Sequence, residues 1–464
     1  MTHGKIIHNV TVVSMNTGRD IFTDGALAWQ GDRIVSVGKA NDILRQFSDF
    51  ERIDAEGGLL TPGFIDAHNH SAHFLAKGLL DDVALEERWK KRLYPFEAAI
   101  TDEETYYGAK GTFAEGLLHG TTCVGDPGCS HPHAVARAAE DMGIRVLLTG
   151  AITDSHDPLR PLSPVSGGSG AAFMAAYNER LFDELDGAAE GRVNVAFGLW
   201  GGSTVSDELC TRVRDMAEKR QAIIHGHLAT REFDNTVSLR DHGSRAVARY
   251  HRLGLLGPHF TGAHAGAIDA WDVDVLARTS TNITHCPSAS MFGGFGCITH
   301  GKFPELIAAG VNVALGSDAA SISRFLDLPR LMYLAACAHK DVRRDPTVMG
   351  AHVAMEMATL GGARALGLQD RIGSLEPGKQ ADFVLLRTEG IEWQPRPLLN
   401  PVAHLVYSSG GHRVDTVAVA GRILVRNGNL LMHDIAALMP QIRQAAHDAV
   451  LRAGLPQLQV WPVH

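Results

Sequence analysis

The chain has 464 residues, 45% of them hydrophobic and 20% charged, which excludes a disordered or fibrous chain and calls for one large packed unit plus a smaller companion. Its 43 basic and 52 acidic residues leave a net charge of -9, with no basic cluster to offset it, so no nucleic-acid partner is expected. Six cysteines without a Cys-x-x-Cys pair exclude a disulfide framework and a thiolate zinc site.

Residues 1–30 show no apolar block after a charged start, and no apolar run reaches the roughly 18 residues a membrane helix needs. A cytoplasmic enzyme with no membrane partner is expected. From Lys5 to Val37 the chain reads as short strands, KIIHNVTVVSM, GALAWQ and RIVSVG, broken by turn residues. The same alternation returns in ADFVLLR, VAHLVYS, VDTVAVAG and RILVRNG. The two ends, 1–59 and 369–431, are expected to pair into one small β-sandwich domain.

Between them, over 60–368, GFIDAHNH, CVGD, RVLLTGA, VNVAFGLW, AIIHGHLA, HFTGAHA, TNITHCP and VNVALGSD read as buried strands. Helical stretches such as HAVARAAEDMG and DELCTRVRDMAEKR fill the gaps. Eight such units predict an α/β fold, a (β/α)8 TIM-type barrel; an open doubly wound sheet lacks the Gly-rich fingerprint it would need. The glycine-rich SGGSGAAF near 167–174 reads as a flexible loop over the barrel mouth. From Met432 to about Arg452 a terminal helix is expected, within a final unit 432–464.

Histidines gather where the strands end: His68 and His70, His225 and His227, His264, and His285, with Asp318 after VALGS. In a barrel these ends form the active-site face. Alternation puts residues i and i+2 on one side, so His68 and His70 can grip one ion while Asn69 turns away. The set predicts one divalent metal ion. His225 reads as a packing or ligand-orienting group, whereas His285 either faces substrate or is satisfied by the Cys286-Pro287-Ser288 backbone. His119, His131, His133 and His300 read as solvated or structural.

The segments LLTPGFIDAHNH, IHGHLA, TGAHA and LGSDAAS, in that order, resemble the amidohydrolase superfamily, and within it the cytosine-deaminase and triazine-hydrolase-like branch. The resemblance runs over nearly the whole chain and includes the terminal IIHNVTVVSM and IGSLEPGKQADFVLL. It implies that His68, His70, His227 and Asp318 hold the metal, that His264 is a fifth ligand or bonds the activated water, and that Asp318 also serves as general base. It further implies a homo-oligomer. Zinc is favoured because no redox chemistry is called for, with iron or manganese as alternatives.

Two departures limit the resemblance. The branch's deaminases carry His-Leu-x-Glu on the strand of the third histidine, and here the segment is HLAT, with Thr230 in the glutamate's place. A threonine hydroxyl cannot shuttle protons at neutral pH, and Glu232, two residues on, is the available substitute. Where relatives carry His-Ala-Pro, this chain has Trp200-Gly201-Gly202, which predicts a flatter, less polar pocket. Trp89, Met291, Phe292 and Phe295 are further apolar candidates, the last three on a glycine-bearing segment read as a lid. With Trp200, Thr230, His285, Phe292 and Trp89 as substrate contacts and Asp318 and His264 as catalytic groups, the expected activity is hydrolysis of a non-peptide C–N bond in a small aromatic or heterocyclic molecule. The alternatives are an aminohydrolase or hydrolytic dehalogenase of a heterocycle, and a non-catalytic metal-containing binding protein.

Overall fold

The computed structural model describes residues 4–154, 168–456 and 461. The chain opens with β1 (Lys5–Val13), β2 (Ile21–Gln30), β3 (Arg33–Lys39) and β4 (Glu51–Pro62). Next come the short parallel strands β5 (Phe64–Asp66), β6 (Thr121–Cys129), β7 (Arg145–Gly150), β8 (Val193–Val195), β9 (Phe197–Gly201), β10 (Ile224–Leu228), β11 (Phe260–His264), β12 (Asn282–His285) and β13 (Val313–Leu315). The last strands are β14 (Phe383–Leu386), β15 (Val414–Val419), β16 (Arg422–Arg426) and β17 (Asn429–Leu430).

Strands β5 to β8 form one parallel run and β9 to β13 another. Ala196 alone separates β8 from β9; its N–H bonds Leu148 while the next N–H bonds Ile223, so β8 and β9 act as one strand and the barrel has eight among the described residues. It closes between β13 and β5 through Ala67 N to Leu315 O at 2.9 Å and Asp318 N to His68 O at 2.8 Å. This is a TIM-barrel-type α/β fold, with the strand ends that carry histidines gathered at one mouth.

The two chain ends build a single mixed sheet in the order β17-β16-β15-β14-β4-β1-β2-β3. It is curled rather than flat. Ile34 at its far edge exchanges backbone bonds with Gly378 and Lys379, just ahead of β14, and Trp29 of β2 meets Phe383 of β14 edge-on at 5.1 Å although two strands lie between them. β4 carries this sheet to Pro62, past the expected break after residue 59, because Leu59–Pro62 pair with β14.

One expected strand is a helix. VAHLVYS, except its last residue Ser408, lies in Pro401–Tyr407, where Asn400 Oδ1 accepts the Ala403 N–H at 3.0 Å and Pro401 opens the first turn. Val402, Leu405 and Val406 are the buried face, at helical spacing. The terminal helix spans Ile435–Arg452. Its Arg452 bonds Glu104 Oε2 at 2.7 Å, and Glu104 in turn caps the barrel helix Asp102–Leu118 with Thr101. Of SGGSGAAF, the stretch read as a loop, residues 166 and 167 lie outside the described residues, and Ala171 onward is helix to Leu185. Among the described residues no helix is long and apolar enough to cross a membrane.

Barrel and terminal sheet are joined by a fully buried ion pair. Arg145 of β7 reaches Asp382 with Nε and Nη2 at 3.1 to 3.2 Å, and Asp382 also accepts the Ala420 N–H at 2.7 Å.

Candidate metal centre and cavity

The centre is set first by Asp66. Its buried carboxylate accepts Ser317 N at 2.9 Å, Ser317 Oγ at 2.5 Å and Asn69 Nδ2 at 3.3 Å, locking the chain after β5 to the chain after β13. Burial pushes its carboxyl up to about 6, against the pull of these bonds. With Asn69 so engaged, His68 and His70 are left for the barrel mouth. Gly316 permits the approach, since a Cβ there would lie 2.9 Å from His68 Cβ.

Five side chains converge. Ligand atoms of His68, His70 and His227 lie within 4.8 Å of one another, and so do those of His68, His264 and Asp318. Asp318 turns Oδ1 to His68 Nε2 and His70 Nε2, both at 3.7 Å, and Oδ2 to His264 Nε2 at 3.9 Å. Both Asp318 (φ 68°) and His264 (φ 77°) hold left-handed backbone, a strain that surrounding structure must sustain. Burial pushes the Asp318 carboxyl up to about 7 and holds the imidazoles of His68, His70 and His264 well below their usual value.

The far nitrogens of His68, His70 and His227 have partners. His70 Nδ1 reaches Gly128 O at 3.4 Å and His227 Nδ1 reaches Trp200 O, so both rings carry their proton there. Their Nε2 lone pairs then face one another at 3.3 Å. Two acceptors in that position repel unless something electron-poor lies near them. His68 Nε2 is likewise buried without a hydrogen-bond partner, while its Nδ1 lies 3.1 Å from His225 Nε2. Neutral imidazoles, oriented from behind and joined by a carboxylate, are the donor set a divalent cation requires.

Above the centre is a cavity of about 400 Å3. Trp200, Thr230 and Trp89 line it. The Trp200 ring lies 5.2 Å from that of His70 and 5.3 Å from that of His227, and Trp89 stacks at 6.4 Å on Phe295, another lining residue.

Two expected substrate contacts are elsewhere. His285 is fully buried, stacked at 3.7 Å on Phe303 with its Nε2 3.1 Å from His339 Nε2, so it faces outward from β12 rather than into the mouth. Its partner is thus a second histidine and not the Cys286-Pro287-Ser288 backbone. Phe292 packs under the Arg88 guanidinium, because Pro287–Gly293 forms a short helix rather than a loop. Glu232 is turned to Arg245 at 3.1 Å and does not line the cavity.

Sequence reasoning passed over His73 and Glu97, a pair 3.2 Å apart on the cavity wall, and Arg231, Asp234 and Tyr250, which also line the cavity. His73 stands three residues beyond His70, one short helical turn on, a spacing that could have drawn notice.

A model of the amidohydrolase family matches residues 59–424. A 5-methylthioadenosine/S-adenosylhomocysteine deaminase of Syntrophobacter fumaroxidans is 31% identical over 443 residues, 95% of this chain and 97% of that one. A 5'-deoxyadenosine deaminase of Methanothermobacter thermautotrophicus is 33% identical over 439 residues, covering 93% and 97%. Among solved structures, an adenosine deaminase from Xanthomonas campestris with bound zinc is similar with a TM-score of 0.89 at 29% identity, over 96% of this chain and 98% of that one. An atrazine chlorohydrolase from Arthrobacter aurescens complexed with zinc shares the fold, with a TM-score of 0.85 at 23% identity over 95% and 100%.

Proposed function

The chain belongs to the amidohydrolase family and is a hydrolase of carbon–nitrogen bonds, and from that premise we propose that it cleaves an amide, urea or cyclic-amide bond in a small aromatic or heterocyclic molecule. The residues we propose to hold a divalent cation are His68, His70, His227 and Asp318, with His264 beside them. When bound, such a cation supplies a Lewis acid that makes water a nucleophile near neutral pH.

The rest of the chemistry falls to side chains. Asp318 has one oxygen toward His68 and His70 and the other toward His264, so a single carboxylate serves as ligand and as acceptor of the proton that water gives up. The same carboxyl then hands that proton to the leaving nitrogen. His264 polarises the electrophilic carbonyl from the other side. Trp200 and Trp89 give a planar substrate flat apolar walls and exclude solvent around it.

The observation that carries the choice of bond is Thr230. Replacing the deaminases' acid with a hydroxyl leaves no group at that place able to protonate a ring nitrogen. The second reading, an aminohydrolase of a purine derivative, is favoured by the names of the similar proteins. A panel of aryl amides, ureas, cyclic amides and aminopurine nucleosides, assayed for both amine and ammonia release, separates the two. We expect turnover confined to the first three; turnover confined to the nucleosides would replace this reading with the second.

The same proposal includes zinc as the ion, in keeping with the zinc in the two similar structures, and a cytoplasmic setting. It includes a homo-oligomer. It also takes the terminal segments 1–59 and 369–431, whose curled sheet runs on along β4 to Pro62, as a β-sandwich domain beside a barrel at 60–368, with 432–464 as the final unit.

A further inference from the structure

We propose that the cavity recognises a carboxylate on its substrate through Arg231 and Tyr250, an assignment that rests on the hydrolase reading above and narrows its substrate class. Tyr250, in the helix Ala246–Arg252, is 1% exposed, and its hydroxyl has no hydrogen-bond partner among the described residues. It nevertheless lines the cavity. The opening is made by Gly202: the Cβ of any other residue there would stand 3.8 Å from the Tyr250 oxygen, and a longer side chain would cover it.

Arg231 follows Thr230 on the same wall. Its guanidinium lies over the Phe233 ring at 5.6 Å and forms no ion pair within 4.0 Å among the described residues. Asp234 is near, but its Oδ2 accepts the Arg231 backbone N–H at 3.0 Å and serves the helix start.

A buried hydroxyl without a partner is costly, and a half-buried guanidinium that forms no ion pair keeps its donors for a ligand. A neutral acceptor on the ligand would relieve the tyrosine alone. A carboxylate relieves both, because the planar guanidinium fork matches its two oxygens. Leu80, Leu85, Leu93, Phe295 and Ile322 also line the cavity and give it room for an apolar body that carries the acid. Arg231 and Tyr250 are therefore specificity residues.

The test is calorimetric titration of the zinc-loaded full chain with benzoate and with nitrobenzene, its neutral isostere. Benzoate should bind at least about tenfold more tightly, the fold-change of one charge-assisted hydrogen bond. That ratio should fall to near one in Arg231→Gln, fall several-fold in Tyr250→Phe, and be kept in part by Arg231→Lys, which retains the charge. Equal binding of the two by the unaltered enzyme, no binding of benzoate, or a preference that persists in Arg231→Gln each overturns the assignment. The last would mean that the metal centre takes the carboxylate. Failure of C–N hydrolysis over the substrate panel, with the benzoate preference intact, would instead overturn the hydrolase reading.

Discussion

His225 offers the sharpest test of how the centre is organised without any need for a substrate. Its ring is fully buried beside His68, Nε2 to Nδ1 at 3.1 Å, and burial holds it neutral, with a pKa of about 3. One proton must lie between the two nitrogens. If His68 carries it on Nδ1, the His68 Nε2 lone pair is free for a cation; if His225 carries it, His68 must be protonated on Nε2 and cannot ligate. A bound cation therefore selects the first arrangement, and His225 is the acceptor that stabilises it. His225→Ala removes that acceptor from a site closed to bulk solvent. Zinc affinity should fall about 10- to 100-fold, equivalent to about 1.4 to 2.7 kcal/mol, as read by competition with a fluorescent chelator. His225→Gln restores an acceptor oxygen and should recover part of the loss. Unchanged affinity in the alanine variant, or no advantage of glutamine over alanine, would refute this reasoning.

Asp318→Asn keeps the shape of the side chain while removing the base, so kcat should fall about 10^2- to 10^4-fold with near-native circular dichroism; a fall under tenfold would deny it the proton. Arg145→Met leaves Asp382 buried and unpaired, and chemical denaturation should show a loss of about 3–5 kcal/mol, with a negligible loss contradicting the account of that junction. His339 is held at about 4 by burial and by Arg343. The unfolded chain protonates this histidine below its usual 6.5, so the folded state should lose stability as pH falls from about 6.5 to about 4. The contribution is roughly 3 kcal/mol at most. His339→Gln should flatten that part of the stability profile, and an unaltered profile would count against it.

Much of the centre could be read before any coordinates, because barrel chemistry is carried at strand ends and strand alternation is visible in sequence. Alternation alone, however, treats His225 and His227 alike. Their separate tasks, one against His68 and one against the Trp200 carbonyl, depend on neighbouring strands. His285 misleads for the same reason: it ends a strand as His264 does, yet it faces Phe303 and His339. The cavity wall was least legible. Glu97 arrives from the long connection between β5 and β6, and Tyr250 from a helix two elements past β10, where no periodic pattern fixes direction.

The fold followed the same division. Eight strands were legible as buried apolar runs, and the pairing of the two ends as matching alternation. VAHLVYS failed because a short apolar run fits either period; the Asn400-Pro401 pair ahead of it was the available helix signal. The curl of the terminal sheet depends on contacts such as Trp29 with Phe383, more than 350 residues apart in the chain, and no local rule conveys it.

The central claim is that His68, His70, His227 and Asp318 share one divalent ion. Anomalous diffraction from crystals of protein purified without chelator tests it most directly. The account predicts one strong peak per chain, about 2.0–2.2 Å from the donor atoms of these four residues. A chain with no such peak, or with its ion held by other side chains, would contradict it.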